Sequence, residues 1–318
     1  MATDPAEPRV AVEPKGTRDW LRDSVEAGGG ILVEPAEAEA LVWTAPGLDE
    51  GETVDDATSL GELLAAHPSV GWVQLPWAGV ELYRAAGLLD DQRVWTCGKG
   101  IYGPPVAEHA LTLTLAGLRN LKRLATARSW RADAGVSLMG GGVTIFGGGG
   151  IARSLVSLLA PFDCRIQVVR RHDTPLAGTH LTMPFEQRYQ ALAGVDAVVL
   201  ALPLTPETEG LIGDIELELM EPHAWLVNVA RGRHVVVDDL VKALRDDAIG
   251  GAALDVTDPE PLPPGHPLWD LPNCLITSHV ANTEDMAIPL LSQRVSANVA
   301  RFAAGQPLLG RVDPELGY

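Results

Sequence analysis

The segment Val143-Thr144-Ile145-Phe146-Gly147-Gly148-Gly149-Gly150-Ile151-Ala152 constrains this chain more than any other. It reads as a buried strand, a glycine turn and the start of a helix. Gly147, Gly149 and Ala152 fill the G-x-G-x-x-G/A pattern of a turn that cradles a pyrophosphate. The first glycine permits the tight turn, the second lets backbone approach the phosphates, and the small third residue lets the helix pack on the strand. The new helix, opening at Gly150 and Ile151, offers free N–H groups and the positive end of its dipole to an anion. A run of glycines alone also describes a flexible loop, so the flanks decide. Residues 143–146 are apolar and partly β-branched, as a buried parallel strand should be. Residues 151–160 read as an apolar helix stopped by Pro161, and residues 165–169 read as the next strand. That is a βαβ unit, and it leaves chain on both sides to build a second domain.

The end of that second strand bears on the cofactor. A site for NAD normally carries Asp or Glu there, about 20 residues beyond the glycines, to bind the ribose 2′-OH. Here the strand ends in Arg170-Arg171. A guanidinium can grip a 2′-phosphate bidentately, whereas a carboxylate would repel it. NADP is therefore favoured over NAD. A pair of solvated surface arginines is the plain alternative.

At 318 residues, 46% of them hydrophobic, the chain is long enough for two domains of ordinary size. It contains no run of 18 apolar residues, so no membrane span is expected. The opening MATDPAEPRV has neither a basic n-region nor an apolar h-region, so it does not read as a signal peptide. Cys97, Cys164 and Cys274 are widely spaced, without metal-ligand spacing, which suits a reduced, cytoplasmic protein and predicts no metal site. The net charge of −18 argues against nucleic acid and anionic membranes as partners. It serves solubility, and it means that an anionic substrate needs a local basic pocket.

Strands are predicted at 9–13, 39–44, 70–75 and 93–97, with helices at 17–27, 57–66 and 80–88. This alternation reads as a small α/β domain with a parallel sheet. One long helix is predicted over 105–126, with Pro105 in its first turn. The dinucleotide half follows, with strands at 143–146, 165–169, 196–201, 225–229, 250–255 and 274–277. A final helix over 284–304 has no strand after it. It should therefore return to the first domain and make that domain discontinuous.

Three segments after the glycine turn carry the chemistry. Leu202-Pro203-Leu204-Thr205-Pro206-Glu207-Thr208 directly follows an apolar strand. Asn228-Val229-Ala230-Arg231-Gly232-Arg233 follows the next. The third, Ala253-Leu254-Asp255-Val256-Thr257-Asp258-Pro259-Glu260-Pro261-Leu262, leads on to Thr277-Ser278-His279-Val280-Ala281-Asn282. Open α/β sheets bind ligands outside the carboxyl ends of their strands, and each segment lies at such an end. Arg231, Glu260 and His279 can then converge. Arg holds a carboxylate and polarises a neighbouring carbonyl. His exchanges a proton near neutral pH, and a Glu beside it favours the imidazolium. Beside a nicotinamide, this set reduces a 2-oxo acid to a 2-hydroxy acid.

Taken jointly, GGGGIA, LPLTPET, NVARG, LDVTDPEPL and SHVA stand in the order and spacing of one family. From about residue 70 onward the chain resembles the D-isomer-specific 2-hydroxyacid dehydrogenases, and Val106-Ala107-Glu108-His109 resembles their entry into an interdomain helix. The resemblance implies an α/β fold in two parts. A Rossmann-type doubly wound dinucleotide-binding domain would span 104–282. A smaller, discontinuous flavodoxin-like substrate domain would span 1–103 and 283–318. It implies Arg231 as the substrate-carboxylate arginine, His279 as acid/base and Glu260 as the residue that orients and charges it. It implies Asp255 on the nicotinamide side of the cofactor, with Pro203, Val229, Ala230 and Asn282 also lining the cofactor. Backbone amides of Ala78 and Gly79 would meet the substrate. It further implies a homodimer and a site that closes between the domains.

The chain departs from the family pattern at Ser278, where proline is frequent, at Asn282, where a small residue is common, at Arg170, where aspartate is usual, and at Ala152. Glu260 argues against the related formate dehydrogenases, which pair their histidine with glutamine. The chain length leaves no room for the regulatory C-terminal domain of some phosphoglycerate dehydrogenases. The expected activity is hydride transfer between NAD(P)H and a small 2-oxo acid, glyoxylate or hydroxypyruvate favoured. Lys99 is the one clear basic residue in the first domain's candidate loops, which disfavours a phosphorylated substrate. A phosphoglycerate dehydrogenase-like enzyme and a non-enzymatic NAD(P)-sensing module are the alternatives. Lys99 and Tyr102 could touch substrate, whereas His109, His172, His180, His223, His234 and His266 read as surface or packing residues.

Overall fold

The computed structural model describes residues 7–45, 56–130, 135–314 and 316. The chain divides into two units, Met1–Tyr102 with Glu284–Tyr318, and Gly103–Thr283.

The first unit begins with β1 (Arg9–Glu13), α1 (Trp20–Ala27), β2 (Ile31–Leu32) and β3 (Ala40–Trp43). It continues with α2 (Asp56–Ala66), β4 (Trp72–Gln74), α3 (Glu81–Ala85) and β5 (Val94–Thr96). The sheet is parallel in the order β2-β1-β3-β4-β5, which is the flavodoxin-like order. Successive strand residues point to opposite faces. Ala11, Leu41, Trp43 and Val73 pack in one layer with Leu60 and Leu64 of α2. Val10, Val12, Ala40, Val42 and Trp72 pack in the other. Both faces are covered, as a parallel sheet requires. The sequence reading lacks β2, a two-residue edge strand too short to carry a period.

The second unit opens with α4 (Gly103–Leu118) and α5 (Leu121–Ala125). These replace the single helix expected over 105–126. Asn120 adopts φ +51° between them, and its N–H bonds the Gly117 carbonyl at 2.8 Å. A left-handed residue of this kind ends a helix, and asparagine tolerates the conformation after glycine best. Apolar periodicity runs through the break and hides it.

The sheet follows: β6 (Gly142–Phe146), α6 (Gly150–Leu159), β7 (Arg165–Arg170), β8 (Leu181–Pro184), β9 (Ala197–Leu200), α7 (Asp214–Glu218), β10 (Trp225–Asn228), α8 (Val237–Arg245), β11 (Gly251–Leu254), α9 (Pro267–Asp270) and β12 (Cys274–Ile276). Its order is β12-β11-β10-β9-β6-β7-β8 and every pair is parallel. β6 lies between β7 and β9, with Phe146 opposite Val169 and Leu200. From β6 the chain runs outward one way through β7 and β8, then returns to add β9 on the other side. That reversal places a topological switch point at the carboxyl ends of β6 and β9. β8, also absent from the sequence reading, is an edge strand closing on Pro184, where a missing N–H costs the ladder nothing.

The chain then re-enters the first unit as α10 (Glu284–Ala303). Leu291, Val295 and Val299 complete the layer formed by Val10, Val12, Leu21, Val25 and Trp72. Asn298 is fully buried in the same unit. Its amide donates to Gln74 Oε1 at 2.9 Å and to the Leu309 carbonyl, while its Oδ1 accepts from Leu309 N. The first unit is therefore discontinuous, as a last helix with no following strand implied.

Candidate active site

The glycine turn follows β6 directly. Gly147 has φ +114°, and a Cβ there would collide with the Ala201 carbonyl at the end of β9. Only glycine satisfies both the conformation and the approach. Gly149 differs: a Cβ there would meet nothing within 4 Å. Gly150 and Ile151 open α6, and Ala152 is fully buried beneath it. Arg170, the last residue of β7, lies across the turn, since a Cβ at Gly148 would stand 2.9 Å from Arg170 Nε. Arg171 is exposed beyond it.

Pro203 follows β9 in a loop knotted by Thr208, whose hydroxyl donates to the Pro203 carbonyl at 2.9 Å. Thr205 N donates to the same hydroxyl oxygen at 2.8 Å. His234, fully buried, sets its Nδ1 2.8 Å from the Thr208 carbonyl and its Nε2 3.2 Å from the Leu202 carbonyl. It is a packing residue, and it joins this loop to the next.

That next loop follows β10. Asn228 is fully buried, accepts from Ala230 N at 3.0 Å and donates to the Arg231 carbonyl at 2.8 Å. One side chain thereby sets the turn Val229-Ala230-Arg231. A Cβ on Gly232 would collide with the Thr257 carbonyl, so glycine lets the Arg231 loop lie flat on the strand-end segment of β11. The Arg231 guanidinium donates to the Ala230 carbonyl at 2.7 Å.

Asp255 follows β11, and its side chain is 1% exposed. Its Oδ1 accepts from the Thr277 hydroxyl at 2.5 Å and from Val280 N at 3.0 Å. Its Oδ2 accepts from Ala281 N at 3.1 Å, and its main-chain carbonyl accepts from His279 N at 2.8 Å. Burial pushes this carboxyl up, but donation from His109, Thr277 and the two amides outweighs burial and holds it below the ordinary range. His279 is thus pinned at φ +52°, a left-handed conformation that side chains rarely adopt.

His279 Nδ1 lies 2.5 Å from Glu260 Oε1. That contact raises the imidazole's pKa against the opposing effect of burial. Glu260's charge adds to the rise, and Arg231's positive charge works the other way. The structure therefore brings Glu260 and His279 into contact, with Arg231 within electrostatic reach. His109, read from sequence as surface or packing, belongs to this network: its Nε2 is 3.0 Å from Thr277 Oγ1 and 3.3 Å from Asp255 Oδ1.

Ala78 and Gly79 belong to the first unit and follow the carboxyl end of β4, where Ala78 is exposed. In that unit the Tyr102 hydroxyl is buried and donates to the Pro76 carbonyl at 2.6 Å, so Tyr102 is structural. The Lys99 carbonyl accepts from Arg294.

The second unit's residues fit a dinucleotide. Gly149 leaves room where a side chain would block approach to the amino end of α6. Asn282 Oδ1 is buried with no hydrogen-bond partner among the described residues. A buried acceptor left unpaired is costly, and an N–H of a bound carboxamide would satisfy it. Arg170 places a cation beside the glycine turn.

Comparison with known proteins identifies the family. Residues 110–281 match the family model for the D-isomer specific 2-hydroxyacid dehydrogenase NAD binding domain. A protein of Corynebacterium melassecola, itself described as uncharacterized, is 36% identical over 256 residues, 79% of this chain and 84% of that protein. Glyoxylate/hydroxypyruvate reductase A of Serratia proteamaculans is 36% identical over 177 residues, 55% of this chain and 56% of that enzyme. Among solved structures, a D-isomer specific 2-hydroxyacid dehydrogenase from Xanthobacter autotrophicus, in complex with NADPH and MES, superposes with a TM-score of 0.84 at 26% identity. That match covers 98% of this chain and all of the other.

Proposed function

This chain belongs to the D-isomer specific 2-hydroxyacid dehydrogenase family, and we propose that it is an NADPH-dependent reductase of small, unphosphorylated 2-oxo acids such as glyoxylate and hydroxypyruvate. The observation that carries the reaction is the 2.5 Å contact of His279 with Glu260, with Arg231's charge felt at the imidazole. Arg231 holds the substrate carboxylate and draws electron density from the adjacent ketone. His279 in its imidazolium form gives a proton to the carbonyl oxygen as it becomes an alkoxide, and Glu260 keeps that form populated. Bound NADPH supplies the hydride. The turn from Gly147 to Ile151, Pro203, Val229, Ala230, Asp255 and Asn282 would hold it, and the amides of Ala78 and Gly79 would share the substrate carboxylate. The first unit is the proposed substrate domain and the second the proposed dinucleotide-binding domain.

The preference for NADPH rests on Arg170 beside the glycine turn and on the NADPH held by the Xanthobacter relative. The preference for a small substrate draws on the reductase from Serratia. It also draws on Arg18, a partly buried arginine of the first unit, which is already engaged by Glu284 at 3.4 Å and by the Trp77 ring at 4.5 Å. The three cysteines are buried and unpaired, which supports a reducing, cytoplasmic setting. No helix among the described residues is long and apolar enough to cross a membrane. A homodimer is part of the proposal, and light scattering tests it.

The test follows reduced-cofactor absorbance with NADPH and NADH against glyoxylate, hydroxypyruvate, pyruvate, phenylpyruvate and 3-phosphohydroxypyruvate. NADPH should be oxidised fastest with the first two. Losing a charge-assisted hydrogen bond costs about 1.5–3 kcal/mol, so Arg170→Ala should lower kcat/KM for NADPH by at least about tenfold and leave NADH nearly unchanged. Cofactor binding without turnover across the panel would favour a sensing module instead.

A further inference from the structure

His109 stands on α4, between the fully buried Ala107 and Ala110, and reaches the loop after β12. The Thr277 hydroxyl donates its single proton to Asp255 at 2.5 Å. Asp255, held below the ordinary carboxylate range, is ionised at neutral pH and can only accept. The Thr277 oxygen therefore meets His109 Nε2, 3.0 Å away, with a lone pair. His109 must donate from Nε2, and the second acceptor at 3.3 Å, Asp255 Oδ1, requires the same. The Nε2–H tautomer and the imidazolium both meet this condition, so the contact does not depend on His109's protonation.

We propose that His109 is a positioning residue for the loop Thr277–Asn282, acting through Thr277 and Asp255. The inference rests on the reading of that loop as the one that carries the proton donor and the nicotinamide-side contact. Asp255 fixes the loop at four points: the Thr277 hydroxyl and the amides of His279, Val280 and Ala281. Those points hold His279 in its left-handed conformation, which persists only where the surroundings over-determine it. His109 supplies the donor that keeps Thr277's proton directed at Asp255. It does so from a long, well-packed helix, a more rigid platform than a neighbouring loop.

The test compares His109→Leu, His109→Gln and His109→Asn. A glutamine amide nitrogen reaches the position of Nε2, whereas an asparagine nitrogen reaches only that of Nδ1. Displacing a catalytic group by about 1 Å costs on the order of 10²-fold in rate, and His109→Leu should lose kcat on that scale. Affinity for ADP-ribose or its 2′-phosphate, whichever the wild type binds, should stay unchanged, because neither contains a nicotinamide. The amides of Val280 and Ala281 should exchange hydrogen faster. His109→Gln should restore both kcat and protection, and His109→Asn should not. Wild-type kcat and protection in His109→Leu would overturn the inference, as would equal rescue by asparagine, or loss of probe affinity together with kcat. If the wild type turns over no 2-oxo acid, the dehydrogenase reading fails, while hydrogen exchange still decides the positioning role: unchanged protection refutes it.

Discussion

His279 and Glu260 make a half-exposed pair, with side chains 53% and 41% accessible, so its value lies in chemistry more than in stability. Glu260 raises the pKa of His279. The imidazolium therefore persists to higher pH than in an isolated histidine. The proposed reduction needs that form, so kcat/KM should be level at low pH and fall as pH rises through the raised value. Glu260→Gln keeps the shape and removes the charge, so the alkaline limb should move to lower pH. A pH–rate profile with an unmoved limb would detach Glu260 from the proton donor. Stability follows the same direction: the pair's small contribution is present below the unfolded-state pKa and is lost as pH rises through the folded one. Arg231, Glu260 and His279 were legible because each directly follows a strand or sits in a short strand-end loop, in an order that constrains the chemistry. His109, Asn228 and Thr277 were not. Asn228 acts through a local backbone turn that any polar residue could suggest. His109 acts through a helix far away in sequence, and no periodicity reports that contact.

At the scale of elements, β6, β9, β10 and β11 are buried on both faces and read as near-continuous apolar runs, broken only by Thr144 and Asn228, so the strands were visible from composition. Helix packing was not. Trp225 of β10 lies between Gly117 of α4 and Gly251 of β11, where a Cβ on either glycine would press into the indole. Two glycines, unremarkable in sequence, clear the space that lets α4 settle on the sheet and so carry His109 to Thr277. Gly117→Ala gains about 1 kcal/mol of helix propensity. The ring has no room to retreat toward Gly251, and overpacking of this kind costs about 1–3 kcal/mol. The net result should be destabilisation by up to about 2 kcal/mol. Urea unfolding would record it as a lower midpoint at constant slope; a higher midpoint would mean that the ring shifts freely.

At the scale of the whole molecule, stability follows the units and not the order of the chain. Val299 of α10 packs with Val10, Leu21 and Val25, and a Cβ on Gly28 would press on its side chain. β12, which precedes α10 by only a short loop, belongs to the other unit. The discontinuity was legible from a last helix without a strand to follow, because an apolar helix must bury its face somewhere. Its partner helix α1 was not, since nothing in the sequence links the two ends of the chain. Val299→Ala removes two buried methyl groups and leaves a cavity, for a loss of about 2 kcal/mol. Native-state hydrogen exchange should then show β1 and α1 losing protection while β11 and β12 keep theirs, because opening free energies belong to cooperative units. Loss of protection in β11 and β12 to the same extent would show that the two units open together. The first unit could then not loosen without the second. Loss confined to β1, α1 and α10 would show a first unit free to fluctuate while the loops that carry Arg231, Asp255 and His279 stay set.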